Sequence, residues 1–254
     1  RTICLPGSFS AARERLLREQ FEVLFYTDLG MEPLTWYLAA SRLAPLQVTT
    51  WGVPVTTGLP TVDLFLSSQW LETPEADLHY SEQLVRLPQL PACYYRPLDV
   101  RSYWTADDWL QPVDLRTGSE AGFLLTADRR PDRLAALQAR ARALRREQHW
   151  PDRGGLLLCP QSLFKLHPEF DPWLAELLRQ DSQIRLLLLA GAQPRWTELL
   201  VERLRKSIGP ATSRIQFWPR CPPAEFLTLL AAADLLLDPL HFGGGNTTYE
   251  AFSL

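Results

Sequence analysis

The chain of 254 residues is poor in the groups that build metal and redox centres: one methionine, four cysteines and four histidines. Cys4, Cys93, Cys159 and Cys221 stand far apart with no CxxC pair, and a reduced, cytoplasmic compartment is the simplest reading. His79, His149, His167 and His241 are equally scattered and no DxD triplet occurs, so the expectation is no metal site and no cofactor. No apolar run approaches the roughly 18 residues of a membrane span, and the opening RTICLPGSF does not read as a signal peptide. A net charge of −3 offers no electrostatic attraction to nucleic acid or to an anionic membrane. No GKS or GKT follows a glycine loop and no GxGxxG is present, which removes the P-loop and the dinucleotide fingerprint. Short internal repeats and low-complexity tracts are absent too.

What is present is a chain with 46% apolar and 22% charged residues, enough for one large or two small cores. Short β-rich apolar runs alternate with helical stretches. VLFYTD (23–28), QVTTW (47–51), VDLFLSS (62–68), GLLLCPQ (155–161), IRLLLLAG (184–191), RIQFWPR (214–220) and DLLLDP (234–239) read as strands. Helices are expected at 11–21, 33–44, 73–81, 133–148, 168–180, 195–209 and 223–233. Pro33 suits a first helical turn, Thr73 an N-cap and Gly209 a C-cap, and the basic 133–148 helix reads as a solvated surface helix. Strands that are apolar throughout, rather than alternating, mark parallel sheets covered on both faces. The β-α-β-α order then gives an α/β architecture of two Rossmann-like, doubly wound domains facing a cleft. The first spans 1–97 and the second 131–254. Residues 98–130, with Trp104 and Trp109 and no sustained period, read as a linker or insertion.

In such sheets ligands bind beyond the carboxyl ends of the strands. Three loops there are rich in small polar residues: Gly52 to Gly58, Pro160 to Lys165, and Asp238 to Glu250. In the last, DPLHFGGGNTTYE, Gly243, Gly244 and Gly245 let the backbone approach a ligand closely. Asn246, Thr247 and Thr248 stand at a helix start, where free amides favour a phosphate, and Glu250 is one turn in, placed to meet a ribose diol. The plainer alternative is a flexible turn with Asn246 or Thr247 as N-cap. Lys165 is either a solvated surface lysine, the commoner case for an isolated one, or a point charge for a diphosphate, a reading that gains weight from sharing a sheet edge with the glycine loop.

Four segments together, WGVPVTTGLPTVDLFLSS, HYSEQLVRLP, CPQSLFKLHPEF and DPLHFGGGNTTYEAFSL, resemble the catalytic region of bacterial O-GlcNAc transferase-like (Spindly-like) proteins, which are inverting GT-B glycosyltransferases. The resemblance covers most of 22–97 and 154–254. It implies a GT-B fold and places the family's diphosphate-contacting lysine on Lys165, taken as the catalytic residue. The family's phosphate-holding triplet falls on Asn246, Thr247 and Thr248, and Gln161, Ser162, Gly244, Gly245 and Glu250 line the donor site. Pro54, Thr56, Thr57 and Gly58 would face the sugar and acceptor from the other domain. It implies metal-independent transfer from a UDP-sugar, UDP-GlcNAc first among them, to a hydroxyl of a protein or glycan, with Lys165 and the helix start stabilising the departing UDP. Two alternatives remain, a nonenzymatic nucleotide-sugar-binding or interaction module and another GT-B enzyme such as a nucleotide-sugar epimerase. Where many bacterial relatives read WGHPVTTG, position 53 is Val, and the chain stops at Leu254 inside the expected helix. Both domains are therefore expected to be partial pieces of a longer protein, one of a family in which tetratricopeptide repeats are common.

Overall fold

The computed structural model describes residues 3–92, 94–99, 130–152 and 155–254. Nearly all of the expected linker, with Trp104 and Trp109, lies outside them. The chain forms two units, Arg1–Cys93 and Tyr94–Leu254.

The first unit runs α1 (Phe9–Glu19), β1 (Val23–Tyr26), α2 (Pro33–Ala39), β2 (Leu46–Thr50), β3 (Leu64–Ser68) and β4 (Gln83–Leu87). Its strands form one parallel sheet in the order β1-β2-β3-β4. Ser8 caps α1 through the amide of Ala11, and Glu32 caps α2 through the amide of Thr35, with Pro33 in the first turn as expected. Ala12 and Leu16 of α1 and Leu38 of α2 pack with Tyr26, Leu29, Leu43 and Val62 into this unit's main core.

Three expectations are corrected here. The 23–28 run is not a covered strand: β1 lies at the sheet's edge, and Val23 and Phe25 are 52% and 47% exposed. The helix expected at 73–81 shrinks to a 3-10 turn at Ala76–His79, and Thr73 caps nothing there because Glu75 holds the cap position without a side-chain bond. β4 went unread because QLVRL carries an arginine and no unbroken apolar run.

The second unit contains α3 (Arg130–Glu147), β5 (Leu156–Cys159), α4 (Asp171–Gln180), β6 (Arg185–Leu189), α5 (Pro194–Ile208), β7 (Ile215–Trp218), α6 (Pro223–Ala232), β8 (Leu235–Leu236) and α7 (Asn246–Phe252). The sheet is parallel, in the order β7-β6-β5-β8. Side chains alternate across it, as the period of a strand requires. Leu156, Leu158 and Leu187 pack with Leu137 and Ala141 of α3 and Leu227 and Leu230 of α6. Leu157, Cys159, Leu186 and Leu188 pack in a separate cluster with Leu174 and Leu178 of α4 and Leu200 and Leu204 of α5. Each leucine so buried contributes about 1.5–3 kcal/mol, so the two-faced burial read from the LLL and LLLL runs dominates this unit's stability. Gly209 closes α5 at φ 71°, its amide bonding to Arg205.

α3 is not the solvated helix its basic sequence suggested. Leu137 and Ala141 are buried, and so are Arg133 and Arg145. Arg145 donates to the carbonyls of Pro151 and Ala232, both at 2.7 Å, and pairs with both carboxylate oxygens of Asp234 at 3.1 and 2.9 Å. Asp234 also accepts from the amide of Leu156 at 3.0 Å, so this pair clasps the entrances of β5 and β8 to α3. Tyr94 and Leu98, which precede the undescribed stretch, belong to this unit as well. Leu98 enters its core and Tyr94 stacks on Tyr249 of α7 at 4.4 Å.

Candidate functional site

From β5 the chain winds to β6 and β7 on one side, then returns to place β8 on the other. Where the winding reverses, the loops leaving adjacent strands part company and open a crevice at the carboxyl edge of the sheet. The segments leaving β5 and β8 at this switch point are Pro160 to Lys165 and Asp238 to Gly245.

Their side chains meet. Lys165, at the end of a 3-10 turn (Leu163–Lys165), donates from Nζ to Gln161 Oε1 at 2.9 Å and to the carbonyl of Gly243 at 3.1 Å. Gln161, 5% exposed, donates from Nε2 to Thr247 Oγ1 at 2.9 Å. The Phe242 ring lies 4.7 Å from the ammonium. Asp238 folds the glycine loop back by accepting from the amide of Gly244 at 2.7 Å. A methyl group on Gly244 would press on Gln161 Nε2 and come within 2.7 Å of Thr247 Oγ1 and 2.8 Å of Thr248 Oγ1. Glycine is required there to let the two threonines and the glutamine converge.

α7 begins at Asn246 with Gly245 as its cap, so neither Asn246 nor Thr247 is the N-cap. Gly245 offers no side chain to the first helical amides, and its carbonyl accepts from the Thr248 amide at 3.0 Å. The structure thus brings together Lys165, Gln161, Gly244 and Thr247, with Thr248 and Gly245 adjoining. Glu250 sits half-buried further along α7, its backbone carbonyl accepting from the Ser253 hydroxyl.

Burial pulls the Lys165 pKa down, while the negative charge of Asp238 and the neighbouring Cys159 thiol work to hold it up. Cys159 itself is inert: burial pushes its thiol up to about 12. Asp238 was not singled out from the sequence, though it stands at the turn where β8 gives way to the glycines.

A cavity of about 250 Å³ adjoins this cradle over the ends of β5, β6 and β7. Ser162 and Phe164 line it on the cradle side; Gly191, Trp196, Arg220 and Cys221 form the other walls. Gln161 and Ser162 therefore divide, one turned into the cradle and the other into the cavity. The walls from Gly191 and Arg220 were missed because neither loop carries a motif, although both follow strands of the same sheet.

In the first unit, the loop of Pro54, Thr56, Thr57 and Gly58 is organised by a residue that sequence reasoning passed over. Glu82 is buried and accepts from Thr56 Oγ1 at 2.7 Å, from the Thr57 amide at 2.8 Å and from the Thr57 hydroxyl. Burial alone would raise its carboxyl, but the bonds from Thr57 and Thr56 outweigh that and hold its pKa below the ordinary 4.5. Both threonine hydroxyls donate to Glu82 and so help to shape the loop. Pro54 and Gly58 are exposed, and Gly58 takes φ 65° at the turn.

His167 and His241, distant in sequence, lie with their rings 4.8 Å apart beside Glu169. Among the described residues no helix is long and apolar enough to cross a membrane.

The two parallel α/β units, the second wound in the order β7-β6-β5-β8, have the GT-B fold. Over a short segment the chain is similar to curated O-GlcNAc transferases, and over most of its length it shares the fold of a solved one. A solved O-GlcNAc transferase of Thermobaculum terrenum, a mutant form, superposes with a TM-score of 0.64 over 96% of this chain and 38% of that one, at 23% identity, which speaks to the fold. Three curated relatives carry the name probable UDP-N-acetylglucosamine–peptide N-acetylglucosaminyltransferase SPINDLY. Those of Solanum lycopersicum and Arabidopsis thaliana are 47% identical to this chain over 55 residues, and that of Oryza sativa subsp. japonica 46%. The matched segment spans 22% of this chain and 6% of each relative. No protein-family model matches the chain.

Proposed function

We propose that the second unit is the donor-binding half of an inverting glycosyltransferase that takes a UDP-sugar, UDP-GlcNAc first, and glycosylates serine or threonine hydroxyls of proteins. The observation that carries this reading is the meeting of Lys165, Gln161, Thr247 and the glycine loop at the β5/β8 switch point. The diphosphate lies in that cradle and the nucleoside in the adjoining cavity, where the Trp196 indole and Arg220 offer a flat face and a fork of donors. Asn246 and Thr248 add donors to the phosphates, and Glu250 takes the ribose diol.

In the reaction the acceptor oxygen attacks the anomeric carbon as the bond to the β-phosphate oxygen breaks. The electron pair leaves with UDP, and the hydroxyl proton passes to a base. Negative charge grows on the leaving diphosphate, and on this reading Lys165 and the amides that open α7 stabilise it without a metal at the phosphates. Pro54 and Gly58, exposed on the loop that Glu82 braces, contribute to the sugar and acceptor side. The parent protein is read as cytoplasmic.

A binding module without turnover shares the same cradle, and turnover separates the two. The chain titrated with UDP and with uridine in chelator is expected to bind UDP more tightly, the difference being the cradle's share. Full-length protein supplied with UDP-GlcNAc and serine- or threonine-containing peptides should release UDP and glycosylate peptide in step. Absence of UDP binding would refute the donor site. Binding without transfer would leave the module, and a changed sugar still joined to UDP would indicate an epimerase.

A further inference from the structure

We propose that His167, Glu169 and His241 form a binding site for a zinc-class divalent cation that fastens the glycine loop to the segment between β5 and α4. One donor atom from each residue lies within 4.8 Å of the others. Glu169 Oε2 is 2.8 Å from His241 Nε2 and 3.9 Å from His167 Nδ1, and the imidazoles meet edge to face at 4.8 Å. Two ligands bound at about 2.1 Å to one ion sit roughly 3.0–3.4 Å apart in octahedral or tetrahedral geometry. The two separations from Glu169 bracket that range, and the two imidazole donors, within 4.8 Å of each other, close on an ion by rotation of exposed side chains. His167 would give up its 3.3 Å acceptor contact with the Glu169 amide in doing so.

The donor chemistry selects the ion. Two imidazoles and one carboxylate suit Zn²⁺, Ni²⁺ or Co²⁺, and are a poor match for Mg²⁺ or Ca²⁺, which take oxygen ligands. All three residues are exposed, so a water completes the coordination.

The placement gives the ion something to do. His167 caps the 3-10 turn Pro168–Phe170 and Glu169 lies within it, just after Lys165. His241 holds a left-handed backbone, φ 72°, two residues before Gly243, whose carbonyl Lys165 holds. An imidazole kept at that φ is uncommon and faces the other two ligands. A cation here would tie the residues on both sides of the Lys165–Gly243 contact, joining positions 72 apart in sequence. It would not need to touch the phosphates, and it does not depend on the transferase reading.

The test uses the chain stripped of metal with a chelator and titrated with Zn²⁺ by calorimetry and with Co²⁺ by absorption. The expected result is saturable one-to-one binding, a Co²⁺ spectrum with d–d bands but no thiolate charge-transfer band, and a thermal midpoint raised by Zn²⁺. His241→Asn keeps a residue that tolerates the left-handed backbone and removes the ligand. It should weaken Zn²⁺ by about 100-fold or more, beyond the 10–100-fold that outer partners of metal ligands carry. His167→Ala should do the same, and Cys4→Ser with Cys221→Ser should change nothing. No saturation below about 1 mM Zn²⁺, full binding in both histidine variants, or loss of binding in the cysteine variant would each overturn the site.

Discussion

Replacing Lys165 with alanine tests the cradle most directly. The ammonium spends two of its three donors on Gln161 and Gly243, at 2.9 and 3.1 Å, so its position is fixed before any ligand arrives. A phosphate charge about 4 Å away is worth roughly 4 kcal/mol at an effective dielectric of 20. Partial exposure and salt reduce that to about 2 kcal/mol, which is about a 30-fold loss of UDP affinity. Uridine, having no phosphate, should keep its affinity within about twofold on the same reasoning. The contrast between the two ligands, read by calorimetry, separates a lost charge from a collapsed pocket. Because burial pulls the Lys165 pKa down, UDP binding by the unmodified chain should also decline on the alkaline side before a free lysine would discharge. A loss of less than about threefold for UDP, or an equal loss for uridine, would refute the assignment of Lys165 to the diphosphate.

Gly244→Ala should cost about tenfold or more in UDP affinity, since its methyl group separates Gln161 from Thr247 and Thr248; unchanged titration would show that the loop is not the cradle. Glu82→Gln should destabilise the first unit by about 2–3 kcal/mol, because a charged acceptor of three bonds becomes a neutral one. The sign with pH follows from the depressed carboxyl: its stabilisation is complete above the unfolded pKa near 4.5 and is lost as pH falls through the lower folded value. The variant's denaturant midpoint should therefore vary less between neutral and acid pH than that of the unmodified chain, and parallel acid limbs would count against the Glu82 bonds.

The second unit was the more legible because its strands declare themselves. Four consecutive leucines in β6 leave no polar face, so burial on both sides follows from the residues alone. The same logic misread β1, since VLFY cannot reveal whether a neighbour covers its edge; that depends on strand order. α3 misled in the opposite sense. Its arginines suggest water, yet Arg145 finds Asp234, 89 residues away, and a partner at that range leaves no local pattern. The cradle was visible as glycines, threonines and a lysine with distinctive neighbours. Asp238, Glu82 and the walls at Gly191 and Arg220 were not, because each matters through where it lands rather than through the residues beside it. The scattered histidines make the same point, for sequence distance says little about the 4.8 Å between His167 and His241.

β8 is only two residues long, and Leu237 reaches back to the Leu158 carbonyl at 2.8 Å just beyond it. From Asp238 to Gly245 the chain is held beyond that short anchor by Lys165 on the Gly243 carbonyl, Glu169 on His241, Asp238 on the Gly244 amide and the packing of Leu240. Segments held by so few backbone bonds open far more often than the strands they flank. Amide hydrogens here would exchange with solvent long before those of β5 and β6, whose carbonyls and amides are locked in the ladder. If the proposed donor site holds, the half of the crevice that would grip the phosphates is the half with the shorter lifetime, and the escape of a spent nucleotide would be set by breathing of this loop rather than by any motion of the sheet.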